Sequence, residues 1–198
     1  MSEEVRLSRS SQIARWVGGR IMQIANTSDT SYQKRVLAEL RRGVGHKPGE
    51  LPSLWGVIFD NFPAEWMSYD GNEPSREEWA VYIALTLFAL HQRGKSVESD
   101  LMHQKGYSLG RSNRIHCGAD DDERERCRGR FERMAMANTI TGVEFYLRQM
   151  VTFLSRDNIP LDYASLAVDI FQYQSPNLVD AVRLRWAQNF YNSQKNED

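Results

Sequence analysis

Long apolar stretches are missing from this 198-residue chain, and no signal-like leader is present, so a membrane span is not expected and the cytoplasm is the expected location. Cysteine is nearly absent. Cys117 and Cys127 are the only two, and in a reducing compartment both are expected as free thiols, a bridge across ten residues being the lesser alternative. Strand-length alternation is missing as well, and so is any repeat at solenoid spacing. Excess positive charge is lacking too: net charge is −1 and pI about 6.4. Bulk charge therefore does not announce a nucleic-acid partner. Lysine is the scarce cation. Of 25 Lys and Arg residues, only Lys34, Lys47, Lys95, Lys105 and Lys195 are lysine. An arginine bias suits planar, two-pronged contacts better than diffuse attraction.

What is present is helical periodicity from end to end. Ile13, Trp16, Val17, Ile21 and Ile24 recur at helical spacing, although Gly18 and Gly19 weaken that helix. Tyr32, Val36, Leu37 and Leu40 form the inner side of a second helix, with Gly43 as its stop. The loop GVGHKPGELP follows a helix and lacks Walker spacing, so it is not read as a phosphate cradle. LPSLWGVIFDNFP reads as a short apolar helix, and residues 62–72 as irregular or one turn. Ser75 and Glu78 have capping-box spacing at the start of a helix that is apolar nearly all round, the hub of the N-terminal half. Arg76 in its first turn opposes the helix dipole, a mild hint of an external anion.

Beyond a polar connection, Ser108 caps a short helix to about Cys117, and an acidic turn at 118–122 leads into an arginine-rich helix. Cys127, Phe131 and Met134 share its apolar stripe. Arg124 and Arg128 border the stripe on one side, and Arg126, Arg130 and Arg133 on the other. Val143, Leu147, Met150, Val151 and Leu154 mark the next helix, with Arg148 beside them. Tyr163, Leu166, Ala167, Ile170 and Phe171 mark another. Ser175-Pro176 reads as the cap and first residue of the last helix, which carries Leu178, Val182, Leu184, Trp186 and Tyr191. The expected architecture is all-α, two small packed helical bundles of about eight to nine helices. The divisions are a tail at 1–9, bundles at 10–94 and 108–192, a connection at 95–107 and a charged tail at 193–198.

Catalytic signals are sparse. His103, His116, Cys117 and Cys127 match no zinc spacing, and no activated serine or cysteine stands out. Glu77-Glu78 and the run Asp120–Asp122 read as helix caps and dipole partners, ahead of a metal-dependent nuclease centre. Of the five tryptophans, Trp16, Trp55, Trp79 and Trp186 fall on apolar faces, leaving Trp66 as the one open to stacking. No enzyme, cofactor or metal is expected.

The order QKRVLAELRRG, LPSLWGVIF and EPSREEWAVYIALTLFALHQ resembles the N-terminal half of CasB-type proteins, the small subunits of the type I-E CRISPR surveillance complex Cascade. MHQKGYSLGRS, RGRFERM, LRQMV and the closing RWAQNFY resemble their C-terminal half in the same order, so the resemblance runs from about Gln33 to Tyr191. The segment NRIHCGADDDERERC is longer and more acidic than that pattern. The resemblance implies a non-catalytic, two-bundle protein that pairs head to tail within Cascade, contacts other subunits, holds crRNA and target DNA, and stabilises the displaced strand of the R-loop. Carried onto this sequence, the basic contact positions are Arg42, Arg76, Arg111, Arg130 and Arg148, with Arg41, Arg114 and Arg128 as neighbours. The expectation is one continuous arginine stripe across both bundles that grips backbone without reading bases. The alternative is a protein-interaction scaffold whose arginines pair only with carboxylates.

Overall fold

The computed structural model describes residues 7–118 and 121–192, without the side chains of Asp121 and Glu123. Residues 1–6 and 193–198 of the expected tails and part of the acidic turn lie outside the described residues. Nine α-helices occur among those described: α1 (Arg9–Ala25), α2 (Thr30–Arg42), α3 (Trp55–Ile58), α4 (Arg76–His91), α5 (Leu109–His116), α6 (Asp121–Ala135), α7 (Ile140–Arg156), α8 (Tyr163–Tyr173) and α9 (Val179–Tyr191). Single 3-10 turns sit at Pro52–Leu54 and Ala64–Trp66. The fold is all-α, two packed helical bundles, as the periodicity and the resemblance led one to expect.

Local chemistry explains where the helices begin. Ser8, Asp29, Ser108, Thr139 and Asp162 each accept a hydrogen bond from a backbone N–H three residues on. Such a cap contributes about 1 kcal/mol. Ser75 and Glu78 form the reciprocal box at the head of α4, with Glu78 accepting from the Ser75 N–H at 2.6 Å. From Glu78 to Ala89 every residue of α4 is buried. That burial follows from its neighbours, since α2, α7 and α8 all pack against it. α1 lies on α8, and α5 lies on α9. At the α5–α9 crossing Gly110 faces the backbone of Trp186 and Phe190, which leaves no room for a Cβ. Asp169 ties α8 to α9, accepting from Trp186 Nε1 at 2.7 Å and from Arg185 at 2.6 Å.

Several expectations fail for identifiable reasons. Cys117 and Cys127 are joined in a disulfide with Cα atoms 5.6 Å apart, so neither is a free thiol. The end of α5 and the inner stripe of α6 bring them together, a proximity that spacing does not reveal. Trp55 is 52% exposed, because its indole N–H reaches out to the Gly49 carbonyl, whereas Trp66 is buried edge-on to Phe62. The last helix starts at Val179 without a side-chain cap, since Ser175–Leu178 closes as a turn first. Leu178, Leu184 and Tyr191 face solvent. α2 does end at Gly43, but with an ordinary φ of −70°. The glycine is required by packing instead: a Cβ there would meet Leu54 Cδ1 at 2.6 Å and the Tyr82 hydroxyl at 2.9 Å.

Candidate functional site

α7 is the element around which the candidate arginines can be placed. Its periodicity buries Val143, Leu147, Met150, Val151 and Leu154. At roughly 100° per residue the opposite face carries Phe145, Arg148, Gln149, Thr152 and Arg156, all exposed. On one edge of this face lies the loop that follows α2. Gly45 donates its N–H to Glu144 Oε1 at 2.9 Å, and a Cβ on Gly45 would stand 3.8 Å from Arg148 Nη1. Burial holds the Glu144 carboxyl above its ordinary range, against the opposing pull of the Gly45 hydrogen bond and the Arg148 charge. Arg42, three residues before Gly45, pairs with Glu39 at 3.1 Å. Arg41 is lowered from its ordinary value by burial and then by nearby Arg93.

On the other edge α6 returns antiparallel to α7. The Arg130 guanidinium lies 4.7 Å from the Phe153 ring centre, with Arg156 at 5.8 Å and the His116 ring stacked at 5.4 Å. His116 Nδ1 and Arg156 Nε both reach Asp157, at 2.5 and 2.9 Å. Those bonds, the one from Arg156 first, hold the Asp157 carboxyl below its usual range. Phe153 is therefore a platform that gathers two arginines and a histidine at the C-terminal end of the exposed face.

The remaining candidates are distributed more widely. Arg76 lies over Phe171 at 4.8 Å, and Arg111 lies over Tyr107 at 4.3 Å while donating to the Gly106 carbonyl. Gly106 in turn donates to Asp162, the N-cap of α8. Arg76 and Arg111 thus stand near opposite ends of α8, roughly 14 Å apart along its axis. Arg114 and Arg128 line a cavity of about 590 Å³ with Arg124, Cys117, Phe190 and Tyr191. Arg128 is committed to Glu125 at 2.5 Å and approaches Glu132 at 3.6 Å. Arg41, Arg76, Arg111, Arg114, Arg130 and Arg148 form no ion pair among the described residues, whereas Arg42 and Arg128 do.

Sequence reading missed Arg156, although it lies two helical turns beyond Arg148 on the same face. Nothing in the sequence could have pointed to His116, which reaches Phe153 from 37 residues away. Among the described residues no group of three His, Cys, Asp or Glu side chains could hold a metal ion, and the run 120–123 lies partly outside them. No described helix is long and apolar enough to cross a membrane.

Comparison with known proteins bears on these observations. No curated protein sequence matches the chain. CasB of Thermobifida fusca, whose crystal structure is known, is 32% identical, with a TM-score of 0.74 over 91% of this chain and 98% of that one. CasB of Thermus thermophilus shares the fold at 22% identity and a TM-score of 0.63, covering 93% and 99% of the two chains. CasB of M. ruber does so at 22% and 0.59, covering 94% of each. The family model for CRISPR-associated protein Cse2 matches residues 36–191, the span from the inner face of α2 to the last residue of α9. The chain belongs to the CRISPR-associated Cse2 (CasB) family.

Proposed function

We propose that this chain is a non-catalytic subunit of a Cascade-type, RNA-guided complex that holds crRNA and target DNA and stabilises the displaced strand through sequence-independent arginine contacts. The observation that carries this reading is that Arg41, Arg76, Arg111, Arg114, Arg130 and Arg148 form no ion pair among the described residues. Guanidinium groups without a carboxylate of their own are free to neutralise phosphates, and contacts to the backbone need no base-edge donors. In this reading the exposed face of α7 is the centre of the track, with Arg148, Arg156 and Arg130 along it and Arg42 beside it. Arg76 and Arg111 extend it toward the two ends of α8, and Arg41, Arg114 and Arg128 are flanking positions. A second copy and other Cascade subunits are its protein partners, and the chain divides near residues 95–107 into the two bundles.

Binding of single-stranded nucleic acid across a salt series tests the reading. Arg130→Gln and Arg148→Gln should each flatten the dependence of log K on log salt by about 0.7–0.9. Slopes that ignore both substitutions overturn it. The pairing of Arg42 with Glu39 and of Arg128 with Glu125 favours a second reading, a scaffold whose arginines meet only carboxylates. A scaffold would show no nucleic-acid binding even at low salt.

A further inference from the structure

We propose that Phe145 is a base-stacking residue, and that the strand it takes is single-stranded nucleic acid whose phosphates run along Arg148 and Arg156. This rests on the nucleic-acid reading above and narrows it from backbone contact alone to a strand with splayed bases. Phe145 is 56% exposed, and no other phenylalanine among the described residues is exposed. Leaving so large an apolar ring half in water forgoes part of the gain of burial. Tyr146 meets it edge to face at 5.4 Å, and no arginine or lysine among the described residues lies over it.

Helix geometry sets its neighbours. Arg148 is three residues on and Gln149 four, which puts their Cβ atoms about 5–6 Å from that of Phe145. Thr152 and Arg156 continue the same face. α7 has a single acidic residue, Glu144, and that carboxylate is turned aside to the Gly45 N–H. On its own helix the exposed ring is bordered by Arg148, an amide and a hydroxyl, with the one carboxylate of α7 engaged by Gly45, which does not match the contiguous apolar surroundings of a protein-binding hot spot. It matches a ligand that presents flat apolar planes and negative charges at regular intervals, the combination that stacking platforms on single strands use. A duplex keeps its bases stacked inside, so the ring selects unpaired strands.

The test uses the full chain at low salt with oligonucleotides carrying 2-aminopurine, and with abasic strands of equal length. Phe145→Ala should weaken single-strand binding roughly 5- to 100-fold while leaving the salt slope unchanged, because a phenyl ring neutralises no phosphate. Phe145→Trp should restore affinity and report the contact by quenching of the base and indole fluorescence. Abasic strands should bind the wild-type chain no better than normal strands bind Phe145→Ala. Equal binding by wild type and Phe145→Ala overturns the proposal, as does an affinity loss of the same size on abasic strands. Intact single-strand binding with loss of assembly into the complex would make Phe145 a protein contact instead and would also overturn it. If Arg148→Gln and Arg130→Gln leave the slope untouched, or the wild type binds no strand, the broader nucleic-acid reading has failed as well.

Discussion

Gly45 hands its backbone N–H to Glu144 across 99 residues of sequence, at 2.9 Å. With φ at +86°, Gly45 adopts a conformation that side chains resist, and this turns the loop after α2 onto the flank of α7. One consequence is mechanical: the end of the helix carrying Arg41 and Arg42 is docked beside Arg148. Another is electrostatic, because the only acidic residue of α7 is taken up by a main-chain donor.

Glu144→Gln separates those consequences. The amide oxygen still accepts from Gly45, so the fold should persist, while a negative charge beside Arg148 disappears. Single-strand affinity at low salt should rise about 2- to 5-fold, the scale of a partly solvated charge interaction, and the gain should vanish at high salt. Binding isotherms at two ionic strengths check this. An affinity that falls, or a gain insensitive to salt, counts against α7 as the contact face.

The Cys117–Cys127 bridge holds the end of α5 against α6 and closes a short loop. Loop-closure entropy for such a link is about 2–3 kcal/mol. Reduction, or the double substitution Cys117→Ala with Cys127→Ala, should lower the melting temperature by roughly 5–10 °C. Paired thermal melts of oxidised and reduced protein measure it directly, and coincident curves would show that the bridge contributes nothing.

His91 is fully buried, with Nδ1 2.9 Å from the Tyr163 hydroxyl. Burial, then the nearby Lys95 charge, lowers its pKa from 6.5 to about 4. The folded state thus keeps the ring neutral where the unfolded chain would already protonate it. The stability is fully present above pH about 6.5 and is lost as pH falls toward 4, a change on the order of 3 kcal/mol. Urea unfolding at pH 7, 5.5 and 4 should show this loss, and His91→Gln should remove most of the difference between those curves.

Two glycines should respond to alanine with opposite signs. At Gly110 the obstacle is the backbone of Trp186 and Phe190, which cannot swing aside. Gly110→Ala should destabilise by about 1–3 kcal/mol or more. At Gly129, within α6, the nearest atom to a new Cβ is Arg133 Nη1 at 3.7 Å, an ordinary contact. Gly129→Ala should stabilise by about 0.5–1 kcal/mol. Chemical denaturation of the two variants against wild type decides both.

Much of the fold was legible because it is local. The 3.6-residue period placed Cys127, Phe131 and Met134 on one side of α6, and all three are buried. The Ser75–Glu78 box marked the start of α4 from residue types and spacing alone. Reading failed where two segments distant in sequence decide the outcome. Trp55, expected on an apolar face, is exposed, and Trp66, left open by the sequence, is buried edge-on to Phe62, because segments beyond the short period of α3 determine which ring is covered. Gly43 was assigned to the right position for the wrong reason, since the atoms that exclude a side chain there belong to Leu54, Thr86 and Tyr82.

Residue order, then, was enough for the helices, the Ser75 and Ser108 caps, the inner faces of α2, α6, α7 and α8 and the family resemblance, because each depends on neighbours within a turn or two of chain, whereas the start and inner face of α9 were misread. It was also enough to nominate arginines, but not to say which stand together. That Arg130 reaches Phe153 beside His116, that Arg148 lies against the Gly45 loop, and that Arg76 and Arg111 stand at opposite ends of α8 were decided only by how helices dock. Docking depends on the fit of side-chain surfaces from remote parts of the chain, which no local period encodes.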